Sequence, residues 1–295
     1  LWEVEMIEVK EVQKKIKGKN VLDGISFVIK AGEIVALIGP NGAGKTTLMS
    51  CMIGDRFIDR GKILIDGKEP RFKDNKKKIG VLMQENVIPK DLKVLELIKF
   101  FQEIYTDSLT TDEVIKILCF TDKQLNQLAG KLSGGQKRLL AFVLCLVGKP
   151  EILFLDEPTA GMDTSTRQKF WEIIEELKHK GTTIVYSSHY IEEVEHTADR
   201  ILVLNEGFLV SDTTPYAIRN KETKKEITLP IRFLKGLEEM DHAYNIVVAR
   251  DYIRFETDDI DNVWEKLQLI GCGIKDIELQ NKTLLNTIFE KTREA

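Results

Sequence analysis

Cysteine, histidine and long apolar runs are all scarce in this sequence of 295 residues. Its four cysteines lie far apart and form no C-x-x-C pair, which argues against a zinc site or a disulfide framework. The longest uninterrupted apolar run, residues 139–147, is about half of what a membrane-spanning helix requires. The acidic N-terminus does not match a signal peptide. We therefore expect any membrane role of this chain to depend on a partner.

Positive and negative charges nearly balance, and no basic face stands out. The formal net charge of -4 leaves no electrostatic footprint for nucleic acid, so we expect no nucleic-acid partner. With 43% hydrophobic and 31% charged residues, the composition is that of a globular protein with an ample core. Cys51 and Cys145 fall within apolar helical patterns, and we predict buried thiols at both positions.

Short apolar strands alternate with helical patterns over the first two thirds of the chain. We predict strands over residues 21–29, 34–38, 63–67, 152–155, 183–186 and 201–204, and helices over 46–52 and 166–180. Periodic apolar positions between residues 92 and 130 predict an all-helical insert, whose outer limits we place at about 85–147. Strands that are apolar throughout and alternate with helices predict a mainly parallel, buried sheet.

A second, smaller unit follows the first. The charged segment 216–226 predicts a linker after Gly207 and Pro215. Beyond it we predict strands over residues 227–231, 246–249, 253–257 and 274–279, and helices over 261–270 and 283–293. Residues 227–295 are therefore expected to form a small α+β domain.

The segment 39–46, here called the phosphate loop, fits the pattern G-x-x-x-x-G-K-[ST] in full. Its residues, between a predicted strand and a predicted helix, are Gly39, Pro40, Asn41, Gly42, Ala43, Gly44, Lys45 and Thr46. Glycine lets the backbone wrap phosphate groups and aim its N–H groups at them. We expect Lys45 to reach the β- and γ-phosphates of ATP and Thr46 to ligate Mg²⁺, with Thr47 as a further nucleotide contact.

Two adjacent carboxylates end the apolar strand 152–155. Burial of that strand delivers Asp156 to the C-terminal edge of the sheet, where ligands bind in folds of this kind. We expect Asp156 to hold hydrated Mg²⁺ and Glu157 to act as the general base on the attacking water. Together with the phosphate loop, this pair predicts Mg²⁺-dependent ATP hydrolysis.

Two further polar side chains follow predicted strands. Gln84 comes after the apolar run 79–83, where its amide can accept from water and donate to the γ-phosphate; we also count it as a Mg²⁺ ligand and a catalytic residue. His189 follows the strand 183–186, where an imidazole can contact the γ-phosphate and orient Glu157 or the water. We therefore add both residues to the predicted site.

The segment 133–136, here called the signature loop, is the most specific feature of the sequence. Ser133 and Gln136 have capping-box spacing, and Gly134 and Gly135 fall in the first turn of the helix that Ser133 caps. Without side chains there, free N–H groups and the positive helix end can approach a phosphate closely. With Leu132 the segment reads LSGGQ, which resembles the signature of the ATP-binding cassette (ABC) ATPases.

The order of the motifs over residues 6–215 strengthens this resemblance. It implies an α/β fold, with a P-loop NTPase (RecA-like) core, an N-terminal antiparallel β subdomain and the helical insert. It also implies that two such domains, expected here as a homodimer, sandwich two ATP molecules head to tail. The phosphate loop of one chain then faces the signature loop of the other, and Asp163 contacts across the pair. Gln84 and the insert form a groove for transmembrane permease subunits, which implies a peripheral position on the cytoplasmic face of the cell membrane.

The sequence departs from the family pattern in two places. An aromatic residue usually stacks on adenine upstream of the phosphate loop, whereas alignment places Ile16 there, and we predict weak discrimination between ATP and GTP. The C-terminal domain resembles the accessory domain of ABC-2-type export ATPases, which often ends in Leu-Glu-Asp-x-Phe. Residues 284–289 keep the apolar frame of that motif without its acids.

An export ATPase is the function that these patterns favour. The alternative is a soluble ABC ATPase that serves translation, DNA repair or cofactor assembly. One cassette rather than two in tandem, no long coiled-coil insert and no basic face argue against it.

Overall fold

The computed structural model describes residues 5–84, 88–217, 225–237 and 240–281. The chain divides into two compact units, Leu1–Thr214 and Pro215–Ala295. The predicted helix 283–293 and the apolar frame at 284–289 lie outside the described residues. Within the described residues, no helix combines the length and the apolar character needed to cross a membrane.

Strands and helices alternate along the first unit. Its strands are β1 (Glu5–Ile16), β2 (Lys19–Lys30), β3 (Ile34–Ile38), β4 (Arg60–Ile65), β5 (Ile79–Leu82), β6 (Ile152–Leu155), β7 (Thr183–Ser187), β8 (Arg200–Asn205) and β9 (Phe208–Thr213). Its helices are α1 (Lys45–Met52), α2 (Lys73–Lys78), α3 (Val94–Ile104), α4 (Thr111–Leu118), α5 (Asp122–Asn126), α6 (Gly134–Leu146), α7 (Thr164–His179) and α8 (Ile191–Thr197). Most of the predicted boundaries lie within a few residues of these.

Two sheets organise the first unit. β2, β1 and β4 form an antiparallel sheet, whereas the larger sheet has the order β5-β6-β7-β3-β8-β9, in which only β9 runs antiparallel. Every residue of β3, β6 and β7 is buried; β3 and β6 are apolar throughout, whereas β7 has a buried polar residue at each end, Thr183 and Ser187. Because β5, β6, β7 and β3 are neighbours and parallel, their C-terminal ends meet at one edge, where the predicted site residues follow.

One apolar core joins the two sheets to α1. Leu48, Met49 and Met52 of α1 belong to the same buried cluster as Ile7 of β1 and Val35 of β3. This packing fixes the start of α1, and with it the phosphate loop, against the end of β3. The predicted fold class of the first unit is confirmed.

Between residues 92 and 130 the described regular elements are helices, as predicted. α4 and α5 begin with complete capping boxes at Thr110 and Thr121, whose hydroxyls accept from backbone N–H groups three residues on. α3 packs against both of these helices. These local caps explain why such short helices form in this insert.

The second unit is a small α+β structure. Its elements are β10 (Lys225–Pro230), α9 (Leu234–Leu237), β11 (Tyr244–Val248), β12 (Tyr252–Thr257), α10 (Ile260–Leu269) and β13 (Glu278–Asn281), with the antiparallel order β11-β12-β10-β13. Val263 and Leu267 of α10 pack against Ile227 and Phe255 of the sheet.

Two predicted boundaries in the second unit are wrong. The strand predicted over 274–279 begins instead with a 3₁₀ turn at Ile274–Asp276, because the Asp276 carboxylate accepts from the N–H of Gly273 and from Arg232. β10 begins at Lys225, so the last two residues of the predicted linker 216–226 belong to the sheet. Charge alone indicated a linker there, whereas both residues pair with β12 and β13.

Candidate active site

The phosphate loop connects β3 to α1 and has glycine where the chain itself requires it. Gly39 has φ 153°, and a Cβ there would lie 2.1 Å from the carbonyl oxygen of Leu204. Gly44 has φ 105°, and its Cβ would lie 2.7 Å from the carbonyl oxygen of Val21. α1 has no side-chain cap and no acidic residue in its first turn. Its leading N–H groups are therefore available to an anion.

Lys45 closes the phosphate loop on itself. Its buried Nζ donates to the carbonyl oxygens of Gly39 at 2.7 Å and Pro40 at 3.1 Å. Burial lowers the pKa of Lys45, while the nearby carboxylates of Glu157 and Asp156 oppose that shift. An ammonium whose hydrogen bonds go to neutral carbonyls gains from a bound phosphate, which supplies negative charge at hydrogen-bond distance.

Asp156 is buried and has a polar partner on each oxygen. Oδ2 accepts from the Thr46 hydroxyl at 2.8 Å, and Oδ1 accepts from the Ser187 hydroxyl at 2.5 Å. The hydroxyl and carboxylate predicted as Mg²⁺ ligands therefore lie side by side where α1 begins. Both are hard oxygen donors, the type of ligand that Mg²⁺ prefers. A Mg²⁺ ion usually takes only one or two ligands from the protein.

Glu157 lies at the centre of the predicted catalytic residues. Its Oε1 lies 2.5 Å from His189 Nε2, so the imidazole donates to the carboxylate, and its Oε2 accepts from the Gln84 amide at 3.2 Å. Glu157 has φ 46°, a left-handed conformation that non-glycine residues rarely adopt. Such strain persists where the surroundings hold it, and here the Glu157 N–H donates to Ser187 Oγ at 2.9 Å.

The signature loop forms the expected capping box at the start of α6. Ser133 Oγ accepts from the Gln136 N–H at 3.2 Å, and the Gln136 side chain accepts from the Ser133 N–H at 3.0 Å. A Cβ on Gly135 would lie 3.2 Å from Cα of Met162, so a side chain at this position would crowd the backbone at Met162. A Cβ on Gly134 would meet nothing within 4 Å. No contact among the described residues therefore requires glycine at position 134.

Two predicted nucleotide contacts lie apart from the catalytic cluster. Asp163 is the N-cap of α7, where Oδ1 accepts from the Thr166 N–H and the Ser165 hydroxyl, both at 2.8 Å, and these bonds lower the pKa of Asp163. Ile16 is half-buried at the last position of β1, paired with Lys19. Among the described residues, no hydrogen bond joins Asp163 or the signature loop to the phosphate loop.

Sequence reasoning missed Ser187 and Arg138. Ser187 is fully buried and joins Asp156 to the backbone of Glu157. Arg138 lies on α6 and donates to backbone carbonyls beside Gln84 and both carboxylates. A serine as the last residue of a buried strand, and a basic residue just before the apolar run 139–147, were the available signals.

A third contact that the sequence did not reveal joins Thr159, two residues after Glu157, to α8. The Thr159 hydroxyl donates to Glu193 Oε2 at 3.0 Å, and Arg167 Nε lies 3.2 Å from Glu193 Oε1. Burial raises the pKa of Glu193, and the hydrogen bond from Thr159 and the positive charge of Arg167 oppose that shift. Contacts therefore hold the loop from Glu157 to Asp163 at three points: Glu157 by Ser187, Thr159 by Glu193, and Asp163 by its cap on α7.

Comparisons with known proteins agree with this geometry. Residues 22–160 match the ABC transporter family. The Nod factor export ATP-binding protein I of Burkholderia lata is 35% identical over 223 residues, which cover 73% of each chain. The linearmycin resistance ATP-binding protein of Bacillus subtilis is 35% identical over 217 residues, which cover 70% of this chain and 68% of that one.

Solved structures resemble the first unit. A structure described as the ATP-binding subunit of an ABC transporter has a TM-score of 0.66 at 27% identity and covers 73% of this chain and 92% of its own. A dimeric ATP-binding cassette in a post-hydrolysis state with ADP and phosphate has a TM-score of 0.64 at 25% identity. It covers 71% of this chain and 99% of its own. The chain therefore belongs to the ABC transporter family of ATP-binding proteins, as an export-type subunit, and is an ATPase.

Proposed function

We propose that two copies of this chain bind two ATP molecules between them, each between the phosphate loop of one copy and the signature loop of the other. The observation that carries this proposal is the open space around Gly134. Packing against Met162 accounts for Gly135, whereas no contact within the described residues accounts for glycine at position 134, the first residue of α6. A ligand that approaches the backbone from outside explains it.

Hydrolysis is assigned to the residues around Glu157. The Glu157 carboxylate takes the proton of the attacking water, and the donors from His189 and Gln84 hold that carboxylate in place. Lys45 exchanges its carbonyl acceptors for the β- and γ-phosphates of ATP. Thr46 and Asp156 are the proposed Mg²⁺ ligands, with Gln84 as the third predicted one; a Mg²⁺ ion held there would neutralise charge on the phosphate oxygens.

Export through a transmembrane permease is the proposed use of this ATPase. Two of its relatives are named for Nod factor export and linearmycin resistance. In the insert, the apolar side chains of Leu92, Phe100, Ile104 and Leu128 are exposed, and Phe100 and Ile104 lie one turn apart on α3. Exposed apolar side chains of this kind suit a protein partner. With a permease as that partner, the proposed position of the chain is the cytoplasmic face of the membrane. The soluble ABC ATPase is not favoured by the relatives found.

A Glu157→Gln variant tests the hydrolytic assignment. Glutamine keeps the shape and an acceptor for His189 but removes the basic carboxylate. Steady-state hydrolysis should be lost while ATP binding is retained, and Glu172→Gln, on the exposed surface of α7, should hydrolyse normally. Undiminished turnover in Glu157→Gln would refute the assignment.

The same variant, loaded with ATP, tests the permease. When the variant is captured from native membranes in mild detergent, a polytopic membrane protein should be captured with it. Mass spectrometry identifies the captured proteins. Ribosomal, DNA-associated or scaffold proteins in place of a permease would contradict the transport assignment.

A further inference from the structure

Arg138 joins the helix of the signature loop to the chain's own catalytic residues. Its Nη1 donates to the carbonyl oxygens of Met83 at 2.6 Å and Gln84 at 3.3 Å. Its Nη2 donates to those of Asp156 at 2.7 Å and Glu157 at 3.2 Å. Its Nε donates to that of Pro158 at 3.2 Å. A guanidinium has five N–H donors, and here each has a backbone acceptor.

These acceptors lie in two different segments of the site. Met83 and Gln84 follow β5, whereas Asp156, Glu157 and Pro158 follow β6. Backbone carbonyls are neutral, and burial lowers the pKa of Arg138, opposed chiefly by the charge of Asp156. The half-buried guanidinium is planar and bonds to both segments at once, so its shape fixes the position of one segment relative to the other. A lysine, with one nitrogen, cannot span them.

Arg138 is also rigidly connected to Ser133. Both lie on or at the cap of α6, five positions apart, which corresponds to a rise of about 7.5 Å along the helix. If the signature loop meets a nucleotide held by the partner copy, any shift of α6 must move the acceptors of Arg138 or break its bonds. Ser133 then faces the ATP held by the partner copy, whereas Arg138 contacts the residues that surround the chain's own ATP.

We propose that Arg138 is a positioning residue that couples the two ATP sites of the dimer. Closure of the signature loop on the partner's nucleotide sets the backbone of Gln84 and residues 156–158 for hydrolysis of the chain's own nucleotide. This inference rests on the proposed function, because it requires the signature loop of one copy to meet ATP on the other.

Arg138→Lys tests the coupling, with Arg71→Lys as the matched control. Arg71 also donates to two backbone carbonyls, those of Gly54 at 2.6 Å and Asp55 at 3.3 Å, away from the site. The natural chain should hydrolyse ATP with a Hill coefficient above 1. Arg138→Lys should lower that coefficient and reduce kcat about tenfold or more, while the Kd for ATP changes less than about twofold. Arg71→Lys should keep the natural coefficient.

The outcomes separate the inference from the proposed function. An Arg138→Lys chain that folds and keeps the natural Hill coefficient overturns the inference alone. A natural chain that binds ATP without pairing and without cooperativity overturns the proposed function.

A mixed dimer tests the same coupling with Arg138 intact, in case the lysine variant does not fold. One copy carries Lys45→Ala and an isotope label, so that its own phosphate loop is disabled, and the other carries Glu157→Gln and binds ATP. Hydrogen exchange in the labelled copy should slow in both α6 and residues 153–162. Slowing in α6 alone would overturn the inference.

Discussion

Ser187→Ala removes a hydroxyl that bonds both the carboxylate of Asp156 and the backbone N–H of Glu157. This buried hydroxyl donates to Asp156 Oδ1 at 2.5 Å and accepts from the Glu157 N–H at 2.9 Å. Alanine keeps the volume nearly unchanged and leaves one buried N–H and one carboxylate oxygen without this partner. The substitution therefore separates polar contacts from packing.

The expected loss of stability follows from the two contacts. A hydrogen bond to a charged group contributes about 1.5–3 kcal/mol, and an unsatisfied buried donor costs about 1–3 kcal/mol. We expect the free energy of unfolding to fall by about 3–5 kcal/mol. Thr183→Val is the control, because Thr183 lies at the other end of β7, where its hydroxyl accepts from the Gly32 N–H. Its loss should be about 1 kcal/mol.

The loss of activity follows from the backbone of Glu157. Its left-handed conformation costs about 1–3 kcal/mol, and the bond to Ser187 is of similar size. Without that bond the carboxylate leaves its productive position in most molecules, so kcat should fall about 10–100-fold. Urea unfolding and steady-state ATP hydrolysis of both variants check this. A Ser187→Ala chain that is as stable and as active as Thr183→Val would refute the reasoning.

Two further predictions concern pH and nucleotide choice. Burial raises the pKa of Cys51 to about 11 and that of Cys145 to about 12. Above pH ~9 the unfolded chain therefore releases thiol protons that the folded chain keeps, and stability should fall by about 3 kcal/mol per pH unit for the pair up to pH ~11. Replacing both with alanine should flatten that decline in thermal unfolding scans, and an unchanged slope would contradict it. Ile16→Phe should tighten ATP binding, because aromatic stacking contributes about 1–3 kcal/mol per base, while the unsubstituted chain should discriminate weakly between ATP and GTP in a binding competition. A preference of tenfold or more in the natural chain would contradict the role of Ile16.

The sequence was sufficient for the buried sheet and for the order of the site residues along it. Strands such as β3 and β6 are apolar on both faces, so their limits could be read directly, and the side chains that follow them had to meet at one edge. The capping box at Ser133 was equally local, because its partners lie three residues apart. Signals of this kind need no tertiary information.

The remaining contacts depend on pairs that are distant in sequence. Ser187 lies 31 residues from Asp156, and Arg138 lies 54 residues from Gln84, so no local pattern reveals either contact. The 3₁₀ turn at Ile274–Asp276 was missed for the same reason, because Arg232 approaches Asp276 from another element. Asp163 was predicted as a contact across the dimer, and its cap on α7 is an additional role within the chain.

The molecular mass of the Glu157→Gln chain in solution, with and without ATP and Mg²⁺, tests the paired site most directly. Light scattering should show the mass doubling with ATP, at one ATP per chain. Adding Gly134→Ala should keep ATP bound and the fold intact, since a Cβ at position 134 would meet no atom of the described chain within 4 Å, yet leave the mass that of one chain. Gly273→Ala, a glycine of the second unit with a negative φ, is the control and should still pair. A Glu157→Gln chain that binds ATP and stays single, or a Gly134→Ala variant that pairs as well as the control, would contradict the account.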